Sequence, residues 1–129
     1  MADHYLLFSE MVPCKTREER DWFADQMAES KDEDGEERRP CEFLVEDAGV
    51  WVYSDEYGDV SRLAEIVCRW QHFFHIEEPW SLEYADTCSK PRINEFSGGA
   101  VLCWHGEAHY MHTSAWIDQK KKQLEGASQ

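Results

Sequence analysis

A chain of 129 residues with 42% hydrophobic side chains is long enough to bury a real core and too short for two ordinary domains. Its net charge of −14 argues against direct contact with nucleic acid or an anionic membrane. No apolar run approaches the roughly 20 residues that cross a bilayer.

The charge is uneven along the chain. Residues 1–87 carry 23 acidic and 8 basic side chains, whereas residues 88–129 carry 4 and 5. Such a surface attracts basic protein surfaces over about a Debye length, although solubility alone also explains it. The first residues, Met1 to Tyr5, lack the basic start and apolar stretch of a signal peptide. Five widely spaced cysteines (14, 41, 68, 88, 103), none in a C-x-x-C pair, fit reduced thiols and predict a cytoplasmic protein.

Tyr5 to Val12 predicts a central strand closed by Pro13. Thr16 and Glu19 form a capping-box pattern that opens a helix to about Ser30, with Trp22, Phe23 and Met27 facing inward. Residues 31–40 are dense in charge and predict a flexible, solvated loop. Cys41–Glu46 and Val50–Ser54 alternate as a hairpin around Asp47-Ala48-Gly49. Asp59 is a natural N-cap for a helix over Val60–Ile76, whose Val60, Leu63, Val67, Trp70 and Phe74 recur at helical spacing. Trp80–Asp86 and Ala100–Trp104 predict strands, and Ala108–His112 a short partner after a turn at Gly106. A short helix capped by Thr113 is expected to fray through Lys120-Lys121-Lys122 into a disordered tail at 125–129.

These elements predict one α+β domain over 1–129. Its order is the ferredoxin-like split β-α-β-β-α-β of an antiparallel sheet, with an added C-terminal hairpin and a short terminal helix. That arrangement serves many unrelated activities, so function must come from a site.

The loop Thr87 to Gly99 is basic and glycine-containing in an otherwise acidic protein. Lys90 and Arg92 near Cys88 favour a thiolate, and Ser97, Gly98 and Gly99 can offer backbone amides to an anion. The competing expectation is a strand connection stiffened by Pro91, with glycines placed for positive φ or close packing. No phosphate-loop pattern occurs, nor a nucleophile–base pair at fixed spacing.

On the second helix, Cys68, His72 and His75 share one strip and are weak candidate zinc ligands. Successive turns rise about 5.4 Å, so three such residues rarely converge on one ion without ligands from elsewhere. Packing, or a subunit contact making a homodimer, is the stronger expectation for that strip. His105, His109 and His112 cluster in sequence without an H-E-x-x-H pattern.

Phe8-Ser9-Glu10 with Pro13, and later Thr87-Cys88-Ser89-Lys90-Pro91-Arg92 with Glu95-Phe96 and Gly98-Gly99-Ala100, resemble a group of short bacterial proteins loosely associated with plasmids and phages. The resemblance implies no activity, cofactor or catalytic residue. It does imply a setting of conflict between element and host. The expectation is therefore a small non-enzymatic binding protein without a cofactor, contacting a basic protein partner as an inhibitor or immunity-type protein against a nucleic-acid-binding protein. The alternative is an anion-binding or enzymatic module at Cys88, Lys90 and Arg92.

Overall fold

The structure, a computed structural model, describes residues 3–127. In chain order the elements are β1 (His4–Val12), α1 (Arg17–Glu29), β2 (Glu42–Glu46), β3 (Gly49–Ser54), α2 (Val60–Phe73), β4 (Trp80–Cys88), β5 (Ser97–Trp104), β6 (Glu107–His112) and α3 (Thr113–Ala127). The six strands form one antiparallel sheet in the order β2-β3-β1-β4-β5-β6. The protein is thus α+β. Among the described residues, no helix is long and apolar enough to cross a membrane.

Alternation along the strands divides the sheet into two faces. Phe8, Val12, Val50, Val52, Leu82, Val101 and Cys103 point to one side and are buried. Phe23 and Met27 of α1, with Leu63, Ile66, Val67 and Trp70 of α2, join them in a single core. Burying each such large side chain contributes about 1.5–3 kcal/mol.

The helix starts follow from their caps. Thr16 and Glu19 complete the capping box at α1, and the Asp59 carboxylate accepts the Arg62 N–H at 3.1 Å above α2. Helix α2 ends at Phe73, short of the Ile76 expected from its apolar stripe. Phe74 caps it, and Ile76 N–H donates to Gln71 O at 2.9 Å while His75 takes a positive φ of 54°.

At the other end, α3 spans 15 residues and holds Lys120–Lys122 within the helix, not in a fraying end. Lysine is a good helix former, which outweighs the local repulsion. The expected disordered tail at 125–129 begins as helix through Ala127, and residues 128–129 lie outside the described residues. Thr113 is the first residue of the helix, and its hydroxyl accepts the Gly98 N–H at 3.0 Å.

Residues 31–40 are bonded into the fold. The Asp32 carboxylate accepts the Asp34 and Glu36 N–H groups, each at 3.0 Å, around Gly35 with φ 79°. Arg62 donates to Ser30 Oγ and to the Arg38 carbonyl, and the Arg38 guanidinium sits 3.9 Å above the Tyr57 ring.

All five cysteines are free. Burial pushes the Cys14 and Cys41 thiols up to about 12, and raises Cys103 as well. A thiol held protonated in the fold ionises more easily when unfolded. Stability is therefore full below pH 8.5–9, the unfolded thiol range, and is lost as pH rises from there towards about 12. The expected loss is about 1.4 kcal/mol per buried thiol per pH unit in that window. Urea midpoints compared between pH 7 and pH 10.5 test this, and a Cys41→Ala variant should show the smaller decline.

Candidate functional site

Helices α1 and α2 pack on the first face of the sheet and α3 meets β5 and β6, leaving the large side chains of the second face exposed. By alternation this second face carries Leu7, Leu44, Trp51, Leu102, Trp104 and Met111. Leu44 and Met111 are each 50% exposed, Trp104 45% and Leu102 40%. Trp51 and Tyr53 stack at 4.2 Å, and the Trp51 indole N–H donates to Ser9 Oγ at 2.8 Å. The Trp104 indole donates to Glu77 O at 3.1 Å. These large side chains are held in place, and pre-positioned aromatics are what a contact surface needs.

The same strands contain no lysine or arginine at all, yet include Glu10, Glu42, Glu46, Glu83, Asp86 and Glu107. Ser9, Glu10, Ser81, Glu83 and Ala100 line a shallow depression where β1 passes β4. Two of the arginines, Arg20 and Arg69, are committed to neutral acceptors. Arg20 donates to the carbonyls of Cys14, Lys15 and Asp47, and Arg69 to Gln26 Oε1. Described ion pairs of lysine or arginine with a carboxylate are Lys15–Glu78, Arg17–Asp21 and Arg39–Glu42, all exposed. Among the described residues most carboxylates therefore have no lysine or arginine within ion-pair distance, and the second face of the sheet mixes exposed apolar side chains with carboxylates.

The Cys88 loop is arranged differently from its sequence pattern. Ser97, Gly98 and Gly99 belong to β5, pairing with Asp86, Ala85 and Tyr84. The Gly98 amide is already taken by Thr113, and a Cβ at Gly99 would strike Met111 O and the Tyr84 hydroxyl. Close packing explains these glycines, whose φ values are not positive. Lys90 and Arg92 are exposed and form no ion pair among the described residues. The neighbour of Cys88 is an acid: its thiol donates to Glu95 Oε2 at 3.2 Å. His4 stands 3.7 Å from that same oxygen. Sequence spacing could not show this trio, because His4 reaches Cys88 only through the β1–β4 register.

Cys68, His72 and His75 do not converge. Cys68 lies against Gly106 and Ala108, whereas His72 and His75 line another depression with His105. Burial raises the Cys68 thiol. A Cβ at Gly106 would meet Cys68 O at 3.5 Å and His72 Cβ at 3.6 Å, so the Cys68–His72 part of this strip packs beneath the β5–β6 turn.

An apolar pocket of about 190 Å³ opens between Pro13, Trp70, Ile76, Pro79 and Trp80. Small-molecule sites usually measure about 300–1,000 Å³, so it is small for that purpose. The fold and surface thus define an α+β protein with one helix-covered and one open sheet face. No family model, curated protein or solved structure matches the chain.

Proposed function

We propose that this chain is a small non-enzymatic binding protein that holds a basic protein partner against the open face of its sheet. The observation that carries this is the six-stranded sheet without a lysine or arginine, whose second face sets exposed leucine, tryptophan and methionine side chains among Glu42, Glu83 and Glu107. Apolar anchors supply affinity, while the surrounding carboxylates steer a cationic partner and speed encounter. A nucleic-acid-binding protein is the partner class whose surface is most reliably basic, so an inhibitor or immunity-type role fits best. The resemblance to proteins associated with plasmids and phages favours the same setting.

The order β2-β3-β1-β4 also supports a finer view of the fold. The β2–β3 hairpin places β3 beside β1, and β4 takes the other side of β1, as a split βαβ unit requires. In that view β5, β6 and α3 are additions that widen the open face. The free, buried thiols favour a reducing compartment such as the cytoplasm.

Affinity capture from the native host across a salt series tests the proposal. The expected result is a partner of high isoelectric point, retained at about 50 mM salt and largely released by about 500 mM as the field is screened. Capture of no salt-sensitive partner would count directly against it.

A further inference from the structure

We propose that His4, Cys88 and Glu95 form a zinc site at the junction of β1, β4 and the loop between β4 and β5. This site does not depend on the open sheet face.

The backbone brings these three residues together. His4 and Cys88 are direct partners in the β1–β4 ladder. Directly opposite residues have Cβ atoms about 4.5–5.5 Å apart on the same face. The ladder is fastened just beyond them, where Ser89 N–H donates to Asp3 O at 2.8 Å and Asp3 N–H to Ser89 Oγ at 2.9 Å. Glu95 then returns to the pair because Asn94 adopts φ 65°, a conformation asparagine tolerates better than most residues.

The spacing suits a tetrahedral ion. One ligand atom from each of the three residues lies within 4.8 Å of the other two. Zinc bonds of about 2.3 Å to sulfur and 2.0–2.2 Å to nitrogen and oxygen set neighbouring ligand atoms about 3.3–3.6 Å apart. The Cys88 Sγ–Glu95 Oε2 distance of 3.2 Å and the His4 Nε2–Glu95 Oε2 distance of 3.7 Å bracket that range. His4 has a 64% exposed side chain, so its ring can turn to close the remaining edge.

Ligand chemistry selects the metal. Thiolate with imidazole and carboxylate is a zinc set, whereas calcium and magnesium take oxygen ligands. Three protein ligands leave the fourth position to water, on the exposed side near His4. Binding forms the Zn–S bond as the Cys88 proton leaves to solvent, so affinity rises with pH. The ion would clasp the first strand to the 89–96 loop.

The test is titration of chelator-stripped full-length protein, kept in a phosphine reductant, with zinc chloride by calorimetry. Parallel cobalt(II) spectra report thiolate ligation. The proposal expects about one equivalent bound at micromolar affinity or tighter, with a thiolate-to-cobalt charge-transfer band. Cys88→Ser should abolish that band. Cys88→Ser and the near-isosteric Glu95→Gln should each weaken zinc by more than the roughly 10–100-fold seen when an outer-shell partner is lost. Cys68→Ser and His72→Ala should leave binding unchanged. Circular dichroism checks each fold, and Glu95→Gln decides the matter if Cys88→Ser does not fold. Absence of saturable micromolar binding by the unaltered protein overturns the proposal, as does full affinity in Glu95→Gln or loss of binding in Cys68→Ser.

Discussion

Replacing Gly49 with alanine is expected to cost about 3–5 kcal/mol, combining a positive-φ penalty with a backbone clash. Gly49 opens β3 at φ 150°. A Cβ there would run into the Val12 carbonyl oxygen and lie 2.9 Å from Cys14 N and 3.0 Å from Pro13 Cα. These are main-chain atoms at the exit of β1, so no rotamer change relieves the contact. The relief available is separation of β1 from β3 at the Val12↔Val50 pair, where both side chains are fully buried. Gly35→Ala is the control. It also has a positive φ, 79°, but nothing lies within 4 Å of its added methyl. That variant should lose only about 1–2 kcal/mol. Urea unfolding of the two proteins separates the clash from the dihedral, and equal losses would contradict this account of the β1–β3 junction.

The second large effect is expected at Glu19, which is 6% exposed. One carboxylate oxygen accepts the Thr16 N–H at 3.2 Å and the Thr16 hydroxyl at 2.9 Å. The other accepts the buried Trp70 indole N–H at 3.0 Å. A single side chain thus caps α1 and ties it to the last turn of α2. Glu19→Ala removes a cap worth about 1 kcal/mol and leaves a buried donor unpaired at about 1–3 kcal/mol, for a total of about 2–4 kcal/mol. Glu19→Gln keeps the shape but only one acceptor oxygen, so its amide N–H₂ must face one donor group. It should lose roughly half as much. Denaturant midpoints followed by tryptophan fluorescence distinguish the three proteins. If Glu19→Gln were as damaging as Glu19→Ala, negative charge and not the pair of acceptors would be what matters.

The caps show what a sequence discloses on its own. Thr16 and Glu19 announce α1 because both partners of the capping box are local, and Asp59 announces α2 for the same reason. What escapes is whatever strand pairing decides. Ser97-Gly98-Gly99 resembles a loop because glycine has little strand preference. Its place in β5 comes from neighbours: a Cβ at Gly98 would press on Tyr84 O, and one at Gly99 would strike Met111 O and the Tyr84 phenol. Cys88 invites attention for the cations beside it in sequence, yet its partners are Glu95, returned by the turn at Asn94, and His4, delivered by the register of β1. Lys120–Lys122 suggests fraying, although lysine favours the helix that forms.

The acidity was visible from the start, but only as a division between the two parts of the chain. Its more useful form is by element. The lysines and arginines all sit in helices and connections, and the strands have none. The strand predictions already carried that pattern, but its meaning depends on knowing that one face of the sheet stays uncovered.

The decisive measurement compares two double variants of equal charge change against the captured partner. Glu83→Lys with Glu107→Lys alters the open face, whereas Asp25→Lys with Glu29→Lys alters the exposed side of α1. Binding through the open face predicts at least a tenfold affinity loss, about 1.4 kcal/mol, for the first pair and a much smaller change for the second. Equal losses would mean that only net charge is felt. A greater loss from the α1 pair would place the partner on the helices and contradict the account.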